Sequence, residues 1–71
     1  MKDYTVIYEL AGENYSAYVP DLPGCVACGN TVEETEELMK EAIELYIEAL
    51  RDDGRPIPEP TNKARVMGVS P

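Results

Sequence analysis

The run from Pro20 to Glu34, PDLPGCVACGNTVEE, constrains this chain more than any other stretch, because the apolar period changes across it. Before it, apolar residues recur at every second position, as in a half-buried strand. After it, they recur with the 3.6-residue period of a helix. Pro20 and Pro23 fix φ and Gly24 permits φ > 0, so Val19 to Cys25 is expected to be a rigid connector. Gly29-Asn30 then breaks the strand, and Thr31 with Glu34 three residues later has the form of a capping box.

The flanking segments fall into place around that switch. Tyr4–Leu10 is rich in β-branched and aromatic residues and reads as a first strand, with Tyr4, Val6 and Tyr8 on one face. Ala11 to Asn14 is a turn and Tyr15–Val19 the return strand, so residues 4–19 form a hairpin. The turn at 20–25 leads into a short third strand, Cys25–Cys28, and the helix is expected over 32–52, ending before Gly54. Residues 55–60 (RPIPEP) form an extended strap, and Ala64–Val69 is consistent with a fourth strand that Gly68 weakens. The order β-β-β-α-β gives a single α+β domain spanning 1–71, with one helix on one face of a small sheet.

On the helix, apolar residues from Val32 to Leu50 fill an arc about 200° wide, nearly twice the ~100° that covering one sheet requires. Leu38 and Leu45 lie along one edge of the arc and Ile47 along the other. A chain of 71 residues cannot bury both edges itself, so these three are expected at an interface between copies, in a homodimer or higher homo-oligomer. The opposite arc carries Glu33, Glu37, Glu41, Glu44 and Glu48. With 14 Asp and Glu against 6 Lys and Arg, the formal charge is −8. Such a chain repels phosphate backbones, which argues against direct nucleic-acid binding, and a basic protein is the better electrostatic partner. No apolar run of about 18 residues and no leader pattern occurs, so no membrane association and a cytoplasmic setting are expected.

Little in the chain can do chemistry. There is no histidine, which removes the commonest general base and neutral metal ligand. Cys25 and Cys28 supply half a zinc site at most, and on a strand positions i and i+3 point to opposite faces, so both read as structural thiols. Asp21 is the most interesting acid, set in a rigid turn, where a carboxylate ordinarily binds nearby backbone N–H groups. No convergent catalytic set is evident, so no enzyme, no cofactor and no metal are expected.

The segment Tyr15-Ser16-Ala17-Tyr18-Val19-Pro20-Asp21-Leu22-Pro23-Gly24-Cys25, then Gly29-x-Thr31-x-Glu33-Glu34, resembles the HicB antitoxin family. Its members carry Y-x-A-x-x-P-D-L-P-G-C, G-x-T-x-E-E and a long amphipathic helix, and the run from Asp53 to Pro60 matches as well. The resemblance implies a partial ribonuclease H-like fold without catalytic carboxylates, and neutralisation of a small basic mRNA-cleaving toxin, HicA, by direct contact. In that role the Pro20–Cys25 turn is expected to shape the contact surface, with Tyr15, Tyr18, Asp21, Leu22, Pro23 and Gly24 as its candidate residues and the acidic helix face or a sheet edge supplying complementarity. Because this sequence stops at Pro71, it is read as a short form without the operator-binding domain of longer members. The alternative is an orphan homo-oligomeric module that binds another protein or a small ligand.

Overall fold

The computed structural model describes residues 2–70. Three strands, β1 (Ile7–Ala11), β2 (Asn14–Tyr18) and β3 (Val26–Gly29), precede one helix, α1 (Val32–Asp52). The strands form an antiparallel sheet in the order β1-β2-β3, with Tyr8 opposite Ala17 and Ala17 opposite Ala27. The helix packs chiefly on β3 and β2.

Each strand is shifted from its expected limits for a local reason. The register that sets Ile7 against Tyr18 would set Thr5 against Pro20, which has no N–H to continue the ladder, so β1 starts at Ile7 rather than Tyr4. Val19 N–H still reaches its register partner, the Cys25 carbonyl (3.3 Å), but the Val19 carbonyl accepts the Leu22 N–H (3.0 Å) inside the turn, so β2 ends at Tyr18. The Cys25 N–H is likewise held by the Leu22 carbonyl (3.0 Å), which delays β3 to Val26.

The helix ends are fixed by their own caps. Thr31 has extended backbone and its hydroxyl oxygen accepts the Glu34 N–H at 3.0 Å. At the other end Gly54 takes φ of 67°, its N–H reaching the Arg51 carbonyl (3.0 Å) while Arg55 N–H reaches that of Leu50 (2.9 Å). These paired bonds make a Schellman ending, which needs a residue tolerant of the left-handed region.

The core consists of Ala17, Val19, Leu22, Cys25 and Met39, with Tyr4, Val6, Tyr8, Ile43 and Tyr46 packed around it. Thr35 is wholly buried beside them, and its hydroxyl donates to the Thr31 carbonyl at 2.6 Å, so this hydroxyl is not stranded. Gly29 lets the helix start sit directly on β3. A Cβ there would come within 2.6 Å of Thr35 Oγ1 and 3.0 Å of the Thr35 backbone nitrogen.

The expected fourth strand over 64–69 is not formed within the chain. Among the described residues, the last hydrogen bonds to the strap are those at Thr61 and Asn62. Beyond them Val66, Met67 and Val69 are 82–102% exposed. A six-residue segment that buries nothing cannot offset its own ordering entropy. The architecture of the isolated chain is therefore β-β-β-α, followed by a tethered strap and a projecting arm.

Candidate interaction surface

The turn between β2 and β3 is the junction where sheet, helix and strap meet. Two interlocked turns build it: Leu22 N–H bonds the Val19 carbonyl and Cys25 N–H the Leu22 carbonyl, both at 3.0 Å. Gly24 completes the reversal with φ of 83°. The outcome is to drive the Leu22 side chain into the core, where it is fully buried. On the helix side the Tyr46 hydroxyl donates to the Pro23 carbonyl at 2.9 Å.

Asp21 works over a longer range than a turn carboxylate usually does. Its partners are not its neighbours but Thr61 and Asn62, forty residues on. Asp21 Oδ1 accepts the Thr61 hydroxyl and the Asn62 side-chain amide at 2.8 Å, and Oδ2 accepts both backbone N–H groups at 3.2 Å. Partial desolvation alone would raise its pKa, but the four hydrogen bonds outweigh it and hold the carboxyl below its ordinary 3.8. The contribution to stability is therefore present above the ordinary value and lost as pH falls through the lower, folded-state value. We expect the amide resonances of Thr61 and Asn62 to move together to unfolded-like positions during that acid titration. In Asp21→Ala they should already be there at neutral pH, with the helical circular dichroism unchanged. A strap that stays ordered in Asp21→Ala would show that the carboxylate is not its tether.

Of the six turn-region residues expected at a partner surface, the structure leaves three clearly accessible. Tyr18, Pro23 and Gly24 are exposed, Tyr15 is half-buried, Asp21 is engaged with the strap, and Leu22 is a core residue. They do not all face the same way. Tyr18 lies on the sheet face away from the helix, where the register aligns it with Ile7 and Val26 in an apolar row. Tyr15 alternates to the helix-facing side with Ala17. Leu38 and Leu45 are 38% and 66% exposed along one edge of α1, whereas Ile47 is half-buried on the other.

The acidic residues of α1 do form a continuous surface. Glu34, Glu37, Glu41, Glu44 and Glu48 recur at three and four residues and are all exposed, a stripe about 20 Å long. Two of its members, Glu44 and Glu48, also rim a groove of about 660 Å³ lined by Tyr4, Ile43, Ile47 and Ile57, between the helix and the segment that leads into β1. A smaller hollow between Tyr8, Glu36 and Ile43 continues it. Tyr8 packs against the core, and this burial, then the charge of Glu36, raises its phenol above the ordinary value. Sequence reading missed this groove. Its signals were present, however, in the stripe Tyr4-Val6-Tyr8 and in the helix edge that carries Ile47.

The two cysteines part company. Cys25 is buried and burial pushes its thiol up, so it is a protonated core group at neutral pH, while Cys28 is exposed. Among the described residues no three His, Cys, Asp or Glu side chains gather as a metal site. Nor is any helix long and apolar enough to cross a membrane.

Comparison with known proteins gives this surface a context. Residues 4–69 match the family model for the HicB_like antitoxin of bacterial toxin-antitoxin systems. A UPF0150 protein of Synechocystis is 43% identical over 58 residues, which are 80% of this chain and 73% of that one. A protein from the rep-hol intergenic region of Haemophilus phage HP1 is 36% identical over 79% of this chain, which spans only 42% of the phage protein. Among solved structures, one chain of a HicA3 and HicB3 toxin-antitoxin complex superposes with a TM-score of 0.71 at 33% identity, over 84% of this chain and 70% of that one.

Proposed function

Since the chain belongs to the HicB-like antitoxin family of bacterial toxin-antitoxin systems, we propose that it binds and neutralises a small basic HicA-type toxin by protein–protein contact. The observation that carries this reading is the likeness to a chain from the HicA3 and HicB3 complex. The charge distribution supports it. The chain has a formal charge of −8, and five exposed glutamates lie along one face of a single helix. Such a surface accelerates encounter with a cationic protein and disfavours RNA, so the chain would compete with substrate for the toxin's basic surface. The role needs no catalysis from the antitoxin itself, and the chain contains no histidine.

The test is inhibition of RNA cleavage. Titrated into a reaction of a HicA-type toxin from the same organism, the chain is expected to stop cleavage at a fixed molar ratio and to co-elute with the toxin. Cleavage that continues at excess antitoxin, with the two proteins eluting separately, would overturn the proposal.

A further inference from the structure

The sheet is one strand too narrow for the helix above it. Helix α1 rests on β3 and β2, and on the β1 side its apolar edge projects past the last strand, leaving the groove over Tyr4, Ile43, Ile47 and Ile57. The order β1-β2-β3 makes β1 an edge, with half of its backbone N–H and C=O groups unpaired among the described residues. At the same time the chain carries a strand-like segment with nowhere to go. Ala64–Val69 is rich in β-compatible residues, yet Val66, Met67 and Val69 are almost wholly exposed.

The dimensions show how far this arm stands off. The radius of gyration is 13.8 Å, against about 11 Å for a compact chain of this length, and the longest axis is 48 Å against 25 and 18 Å for the others. The strap delivers the arm to the beginning of the free edge, where Thr5, two residues before β1, donates its hydroxyl to the Asn62 carbonyl at 2.7 Å. From there the arm leaves its own sheet.

We infer that the arm of residues 63–69 is the missing edge strand of a second copy: it pairs with the free edge of β1 in the partner and closes the groove there, each copy doing the same for the other. Strand alternation sends either Val66 with Ala64, or Met67 with Val69, onto the floor formed by Ile43 and Ile47. Charge selects the same acceptor. The segment beyond Pro60 carries Lys63 and Arg65 and none of the chain's 14 acids. The groove and the hollow beside it carry Glu36, Glu37, Glu44, Glu48 and Asp52 against Lys2, Lys40 and Arg51, so acids prevail there. Another chain's strand would have to reproduce both the apolar pair and the two flanking cations, which a second copy supplies by construction. This inference does not rest on the toxin reading, because it concerns only how the chain meets itself.

The test combines mass and amide exchange on the full chain at low and high concentration. The expected result is a dimer that forms with concentration, with slow exchange gained by residues 64–69 and by the outward amides of Ile7–Ala11 in step with it. Val66→Pro combined with Met67→Pro must remove at least one N–H that faces β1, since adjacent amides point opposite ways. It should weaken the dimer by about tenfold or more while leaving the helical signal and β2–β3 protection unchanged. Four results would overturn the inference: no dimer at any concentration, a dimer of equal affinity in the proline variant, a dimer whose arm amides exchange freely, or arm protection in a monomer, which would mean the arm folds onto its own β1.

Discussion

Leu22→Ala is expected to lower stability by about 2–5 kcal/mol, the range for truncating a fully buried leucine. Leu22 is completely inaccessible, held between Val19 and Cys25 by paired backbone hydrogen bonds, and it packs with Met39 and Ala17 beneath the helix. Those bonds fix the backbone on both sides, so the turn cannot collapse into the space left behind and most of the cavity persists. Against a total stability of about 4–11 kcal/mol for 71 residues, this is a large fraction. Tm should fall on the order of 10–30 °C, and the melt should lose its pretransition baseline. Leu45→Ala is the matched control: at 66% exposed, it should change stability by no more than about 0.5 kcal/mol. Thermal denaturation of the two variants side by side decides the matter. If Leu22→Ala melts like the parent and only weakens partner binding, the side chain is a contact residue and not part of the core.

What could be read in the sequence is what short-range signals encode. The helix starts where Thr31 caps it and stops at Gly54, because a cap and a C-terminal glycine act through their own backbone. The rigid turn was equally legible, since Pro20, Pro23 and Gly24 restrict φ wherever they occur. Leu22 lies in the core and not at the expected surface, because nothing in a turn's composition says which side chain points inward; that depends on the helix arriving above it, and Met39 is seventeen residues away. The burial of Thr35 is hidden for a related reason. A hydroxyl reads as polar, yet its bond to the Thr31 carbonyl makes it one of the most buried side chains in the helix. The sequence around Asp21 points to a local turn acid, whereas its partners at Thr61 and Asn62 are brought to it only by the strap. The groove beside β1 shows the same limit, since it exists only because the helix sits off-centre over three strands.

Reversing two charges on the outward stripe, Glu34→Lys with Glu41→Lys, is expected to slow association with a basic toxin by about 10- to 1,000-fold at low salt. Both positions are exposed and neither lines the groove beside β1, so the change reaches the outward field while leaving the proposed self-association site intact. The pair moves the formal charge from −8 to −4, each reversal adding two. Local costs to the helix are small and of opposite sign. A lysine at 34 opposes the positive end of the helix dipole, at about 0.3–1 kcal/mol. A lysine at 41 stands four residues after Glu37, in the orientation worth a few tenths of a kcal/mol in its favour. The loss should therefore reside in the association rate rather than in folding, and salt separates the two. At about 1 M ionic strength the screening length contracts to about 3 Å, so parent and variant should bind at similar rates. Stopped-flow association across a salt series is the measurement. A parent rate that does not fall with salt, or a variant as fast as the parent at low salt, would remove the stripe as the surface that guides the toxin. A deficit that persists at high salt would mean that Glu34 or Glu41 makes a direct contact in the complex.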